Sequence, residues 1–180
     1  MNRPRWWMCL WIFCLMPLLS ACTQNATTQQ QLPLHSFSGP ITLSGTLEVG
    51  ESEYGIVFHS ADGVTGKVSF TFPDSMAGYI FEKADDGYYV SYEDLRIPLR
   101  QGTSPGGAGL LFSILSPDVA NMQISKEKAN GIDLTVYTLA LSADGEMRIY
   151  TKTSDGTPLR VAFDTTLGSG IFHINEVKFE

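Results

Sequence analysis

Apolar and polar residues alternate with a period of two along most of the chain after Pro40. The first alternating stretch contains Ile41, Leu43, Leu47 and Val49. Successive side chains of a strand point to opposite faces, so this pattern predicts strands with one buried face. Asp-Gly and Asn-Gly pairs between such stretches, as at Asp62-Gly63, indicate tight antiparallel turns. The whole pattern predicts about nine strands in meander order.

One segment departs from the alternation. Residues 101–109 are rich in glycine, serine and proline, and the next apolar residues, Leu110, Leu111, Ile114 and Leu115, have helical spacing. The predicted element is one short helix, roughly residues 106–116, that covers the sheet. Pro98, just before this segment, indicates an edge strand or a bulge.

A sheet of about nine meandering strands has to twist and curl. The predicted fold class is therefore mainly β (α+β), with a strongly curved antiparallel sheet or unclosed β-barrel and a short helical lid.

The N-terminus has a different pattern. Arg3 and Arg5 precede an uncharged apolar run at residues 6–19, and the small residues of Leu19-Ser20-Ala21-Cys22 follow. Basic, apolar and small residues in this order are typical of a secretory signal peptide. The 14-residue run is shorter than the roughly 20 residues of a transmembrane helix, which is one alternative. Another is a plain signal peptide cleaved after Ala21.

Cys22 directly after the small residues resembles the signal of bacterial lipoproteins. That resemblance implies cleavage before Cys22 and attachment of acyl chains such as palmitate to the mature N-terminus. Cys9 and Cys14 would be removed, so the mature chain would have no cysteine pair for a disulfide. The expected localisation is export, with a lipid anchor in the bacterial cell membrane or the outer membrane. Thr23 favours the outer membrane if the host has one.

The predicted organisation is a signal peptide at residues 1–21, a flexible tether at 22–39 and one domain at 40–180. Residues 23–39 contain no Asp, Glu, Lys or Arg, which is typical of a flexible linker. The formal net charge is −7 for the full chain. Such an acidic balance argues against a nucleic-acid partner and against electrostatic binding of the whole protein to anionic lipid.

Catalytic and metal-binding patterns are weak. His35, His59 and His173 have no metal-ligand spacing. The pairs Asp85-Asp86 and Glu93-Asp94 fall at turns, where solvated carboxylates explain them better than a dyad or a calcium site. No nucleophile elbow and no phosphate-loop lysine occur, so neither catalysis nor a cofactor is predicted.

Three segments resemble proteins of the LolA/LolB lipoprotein-carrier family. They are residues 72–81, with a proline-acid turn before a glycine-started strand, residues 87–99, and the closing residues 172–179. The resemblance covers about residues 40–180. It implies an incomplete barrel with a helical lid that binds acyl chains or other apolar ligands, without catalysis. LolA is soluble and LolB is anchored, and the predicted anchor makes this chain similar to LolB in that respect.

Aromatic residues at both parities of the middle strands are the candidate ligand-binding residues. Ordinary core packing is one interpretation of them. The functional interpretation is an apolar cavity in the concave face, which binds a lipid or a lipoprotein acyl chain. An alternative function is a cell-envelope interaction module that docks a protein on the sheet. The predicted lining residues are Tyr79, Phe81, Tyr89, Tyr92, Leu110 and Leu111.

Overall fold

The computed structural model describes residues 39–100, 109–115, 122–141, 145–166 and 168–179. Within them the chain forms eleven strands: β1 (Ile41–Val49), β2 (Ser52–Ser60), β3 (Gly66–Phe72), β4 (Ile80–Ala84), β5 (Gly87–Tyr92), β6 (Leu95–Pro98), β7 (Gln123–Ala129), β8 (Ile132–Leu141), β9 (Gly145–Lys152), β10 (Pro158–Thr165) and β11 (Gly168–Phe179). One 3-10 helix, Leu111–Leu115, lies between β6 and β7. We refer to it as the short helix.

The strands form one antiparallel sheet in the order β6-β5-β4-β3-β2-β1-β11-β10-β9-β8-β7. Nearly every strand pairs with its sequence neighbour, as a meander requires, and β1 pairs with β11 to join the two halves. The edges are β6 and β7, which do not pair with each other, so the sheet is open. The connection that carries the short helix therefore links one edge of the sheet to the other.

The main hydrophobic core lies on one face of the sheet. Its side chains form one cluster with Leu111, Phe112 and Ile114 of the short helix, and we call this side the helix face. The opposite side, the open face, is mostly polar and carries residues such as Thr42, Ser44 and Thr46. The fully buried strand residues of the helix face include Ile41, Leu43, Phe58, Val68, Met147, Ile149, Val161 and Phe172.

Two backbone features follow from glycine. The register of β1 and β11 shifts between Ser44 and Gly45, and a Cβ at Gly45 would clash with the backbone carbonyl oxygen of His173. Only glycine tolerates such a close approach of two backbones. At the β7–β8 turn, Asn130 and Gly131 both have positive φ, 50° and 79°, as a type I′ turn requires.

The predicted fold class is confirmed, with two refinements. The structure has eleven strands rather than about nine, because the two edge strands β6 and β7 are fully formed. Pro98 lies in an edge strand, where a missing N–H removes no bond that the sheet needs. The predicted helix at residues 106–116 is a 3-10 helix of five residues in the described part.

The predicted signal peptide (residues 1–21), Cys22 and the tether up to residue 38 lie outside the described residues. In the described part of the chain, no helix combines the length and apolarity needed to cross a membrane.

Candidate functional site

The short helix fills the centre of the helix face with apolar side chains. Leu111, Phe112 and Ile114 are all buried. The Phe112 ring centroid lies 6.2 Å from that of Phe58 on β2 and 5.9 Å from that of Tyr88 on β5. Among the described residues, no backbone hydrogen bond joins the short helix to a strand. Side-chain packing is thus what attaches it to the sheet.

Five of the six predicted lining residues lie on the helix face or at its border. Phe81, Tyr79 and Leu110 are half-buried and pack against the core cluster, and Leu111 is fully buried in it. The Phe81 ring contacts Phe70 at a centroid distance of 5.7 Å. Four of the predicted lining residues therefore lie together at or beside the short helix, packed against the hydrophobic core.

Tyr92 extends this group toward the edge of the sheet. Its ring stacks on Tyr79, with centroids 4.5 Å apart and planes 27° from parallel. Tyr92 pairs with Leu95 across β5 and β6. Both side chains are exposed, so the aromatic group runs from the buried core to solvent.

Tyr89 lies on the open face, apart from the other five residues. It pairs with Glu82, whereas Phe81 pairs with Val90, and neighbouring strand residues point to opposite faces. Its hydroxyl donates a 2.8 Å hydrogen bond to Asp86 Oδ2, which raises the pKa of Tyr89. Arg96 stacks on the ring, with Cζ 3.5 Å from its centroid. Tyr89 follows Tyr88 directly in β5, so its side chain points away from the helix face. Tyr89 therefore does not belong to the predicted lining.

An exposed apolar strip runs along the edge of the helix face. It is formed by Tyr88 and Tyr92 on β5 and Leu95 and Ile97 on β6, all exposed. The register Val90↔Ile97 and Tyr92↔Leu95 places them on one side. The alternation of β6 predicted that Leu95 and Ile97 share a face, but the sequence did not show that the edge leaves this face uncovered.

Two open grooves lie on the other side of the sheet. The larger, about 750 Å³, is lined by Gln123, Thr138, Ala140, Leu141, Gly145, Glu146, Asp164, Thr165 and Thr166. The smaller, about 370 Å³, is lined by Glu48, Gly50, Glu146, Arg148, Tyr150, Ala162, Phe163, Asp164, Ser169, Gly170 and Ile171. Neither contains any of the six predicted residues, and both have carboxylates and hydroxyls in their lining.

A second apolar cluster sits under this polar surface. Leu134, Val136 and Tyr150 are buried on the open face, and Arg160 covers the Tyr150 ring at 3.8 Å. In this part of the sheet, β8, β9 and β10 therefore have apolar side chains on both faces. This cluster was not predicted.

The histidines and acid pairs occupy structural positions. His59 Nδ1 lies 2.9 Å from Thr42 Oγ1, and His173 Nε2 lies 3.5 Å from Glu48 Oε1. Asp85-Asp86 and Glu93-Asp94 form the β4–β5 and β5–β6 turns. Within the residues that the structure describes, no group of three or more histidine, cysteine, aspartate or glutamate side chains is arranged to hold a metal ion.

No protein-family model and no curated protein matches the chain. Solved structures do. An uncharacterised conserved protein from Thermus thermophilus superposes with a TM-score of 0.53 at 13% identity, over 81% of this chain and 82% of that one. A LolA superfamily protein from Nitrosomonas europaea gives a TM-score of 0.45 at 11% identity, over 79% and 87%. LprF from Mycobacterium bovis gives 0.44 at 8%, over 82% and 90%.

At these identities the likeness concerns the fold alone. The observed architecture is an open antiparallel sheet with a short helix on one face. The unclosed antiparallel sheet with a short helix that the sequence predicts is confirmed in that form.

Proposed function

We propose that the chain is an exported bacterial lipoprotein, anchored through acylated Cys22, that binds an acyl chain on the helix face without catalysis. The ligand is a lipid or the acyl chain of another lipoprotein. The proposed lining consists of Tyr79, Phe81 and Tyr92 on the strands, while Leu110 and Leu111 belong to the segment that the ligand displaces. Tyr89 is excluded because it lies on the open face.

The observation that carries this proposal is the way the short helix is held. Leu111, Phe112 and Ile114 are buried against strands, and no backbone hydrogen bond fixes their segment to the sheet within the described residues. An acyl chain offers the same kind of apolar surface. It can therefore replace these side chains without leaving a buried backbone group of the strands unpaired.

The energies set a minimum chain length. Exposing three buried side chains of this size costs about 1.5–3 kcal/mol each, or about 5–9 kcal/mol together. A buried methylene returns about 0.8 kcal/mol, so roughly 6–11 methylenes offset the cost. Long acyl chains of phospholipids and lipoproteins exceed this length, whereas short fatty acids do not.

A chain-length series tests the ligand. The full chain, purified in its mature form, is titrated with saturated fatty acids that displace a fluorescent fatty acid probe. We expect displacement by palmitate and little or none by hexanoate. Phe112→Ala removes part of the competing helix and should tighten palmitate binding, while Phe179→Ala, an exposed phenylalanine outside the site, should leave it unchanged. Absence of saturable probe binding would contradict the proposal.

The anchor is tested separately. Mass spectrometry of the protein purified from its host membrane should show an N-terminal Cys22 carrying acyl chains. Cys22→Ser should release the protein from the membrane fraction. An unmodified Cys22 in the mature protein, or a different N-terminus, would refute the lipid attachment.

A second candidate function is a docking module for an envelope protein, and the exposed strip of Tyr88, Tyr92, Leu95 and Ile97 favours it. A photoreactive amino acid at Leu95 discriminates the two functions in the living host. A protein partner gives a protein-sized adduct at Leu95 and none at Ile132, an exposed residue of β8. A lipid ligand adds only the mass of a lipid.

A further inference from the structure

The two ends of the sheet carry very different charge. Antiparallel order places the start of β1 at Ile41 and the end of β11 at Phe179 side by side, and we call this end the tether end. The opposite end, where β1 finishes at Val49, is the far end. Each end comprises the described turn residues there and the two terminal residues of each strand.

The far end is strongly acidic. Its described charges are eight carboxylates and a single guanidinium, namely Glu48, Glu51, Glu53, Asp74, Glu93, Asp94, Glu146, Asp164 and Arg96.

The described charges of the tether end are nearly balanced. Its described charges are six cations and five carboxylates, namely Lys67, Lys83, Arg100, Lys128, Lys152, Lys178, Asp62, Asp85, Asp86, Asp133 and Asp155. The net negative charge of the whole chain is therefore distributed unequally between the two ends of the sheet.

Exposed apolar side chains flank the point where the chain enters the sheet. Ile41 pairs with Ser60 on one side and Phe179 on the other. Val64 lies in the β2–β3 connection, four residues after Ser60. Phe179 is 57% exposed and Val64 is 54% exposed. The carboxylate of Asp62 accepts a hydrogen bond from the Val64 amide, and Phe179 lies between Lys178 and Glu180 in the sequence.

We propose that the tether end is the surface that rests on the phospholipid headgroups of the bilayer holding the anchor. This inference rests on the proposed attachment at Cys22, 19 residues before Ile41. A flexible linker of that length has an end-to-end distance of roughly 24 Å. The tether end is thus held near the bilayer at high effective concentration, and weak contacts suffice to orient the domain.

Screening explains why the two ends behave differently. The field of a charged surface decays over about 8 Å at physiological salt, and a nine-residue strand spans roughly 27 Å. An anionic bilayer therefore acts on one end at a time. It repels the far end, whereas the cations of the tether end meet phosphate groups while Val64 and Phe179 enter the interface.

Introduced tryptophans test the orientation. The three tryptophans of the chain, Trp6, Trp7 and Trp11, all precede Cys22, so a single new tryptophan is a unique reporter in the mature protein. Val64→Trp and Phe179→Trp probe the tether end. Phe72→Trp is the matched control at the far end, since Phe72 is also 54% exposed. Glu51→Trp provides a second far-end control should Phe72→Trp fail to fold.

The acylated variants are reconstituted into phosphatidylcholine vesicles that contain some phosphatidylglycerol and chain-brominated lipid. We expect quenching of both tether-end tryptophans to exceed that of the far-end control by at least about twofold. Equal quenching at both ends, stronger quenching at the far end, or no quenching of acylated protein overturns the orientation but leaves the anchor intact. Protein that lacks acyl chains by mass spectrometry and stays out of the vesicles overturns the anchor and the orientation together.

Discussion

The ring of Phe112 on the short helix lies 5.9 Å from the ring of Tyr88 on β5, with the planes inclined by 45°. Phe112 is buried, whereas Tyr88 is exposed. This contact joins the buried interior of the helix face to the exposed strip at the edge of the sheet. Under the proposed function, an apolar ligand reaches the short helix from this side.

The short helix should open without unfolding the sheet, because side-chain packing holds it. Leu111→Ala removes a fully buried side chain, and such truncations cost about 2–5 kcal/mol. We expect hydrogen exchange of the described amides at residues 111–115 to accelerate by at least about thirtyfold, the equivalent of 2 kcal/mol. Amides in the centre of β1 should keep their wild-type rates, and acceleration across both elements would show that the helix unfolds only with the sheet.

The close approach at Gly45 should make the β1–β11 junction intolerant of any side chain. A Cβ there would clash with the backbone carbonyl oxygen of His173, whereas Gly39 has no atom within 4 Å of its Cβ position. We expect Gly45→Ala to lower the free energy of unfolding by several kcal/mol or to prevent folding. Gly39→Ala should change it by less than about 0.5 kcal/mol in urea titrations. Equal effects of the two substitutions would mean that β1 and β11 do not pair as described.

Acid should weaken the β2–β3 connection through Asp62. Its carboxylate accepts bonds from the amides of Val64 and Thr65, at 2.8 and 2.7 Å, and from the Thr65 hydroxyl at 2.9 Å. These bonds hold the pKa of Asp62 below its usual value, and the bond from the Val64 amide makes the largest contribution. The charged carboxylate therefore stabilises the fold at neutral pH, and this contribution disappears as the pH falls through the lowered pKa.

Comparison with Asp62→Asn isolates that charge. The variant should have a lower urea midpoint than the wild type near neutral pH, and the difference should shrink below about pH 4. Glu51→Gln, an exposed carboxylate of the β1–β2 turn, serves as the control and should show a smaller difference. A gap between Asp62→Asn and wild type that stays constant down to strongly acidic pH would contradict this account.

Alternation was enough to predict the sheet, because residues such as Leu43, Phe58 and Val68 must share one buried face. It did not assign Tyr89 correctly, since aromatics occupy both parities of β5 and only the strand register decides which ones face the helix. The edge strand β7 was a weak prediction because its residues are all exposed. The charge difference between the two ends depends on the direction of every strand in the sheet. A local sequence pattern does not predict these directions.

The most direct test of the central claim is photo-crosslinking of the mature protein with a diazirine analogue of palmitate, followed by mapping of the adducts by mass spectrometry. We predict adducts on the helix face, in peptides that contain Tyr79, Phe81 or Tyr92, and their suppression by unlabelled palmitate. Adducts confined to the open-face grooves around Thr138 and Asp164, or labelling that palmitate does not suppress, would contradict binding on the helix face.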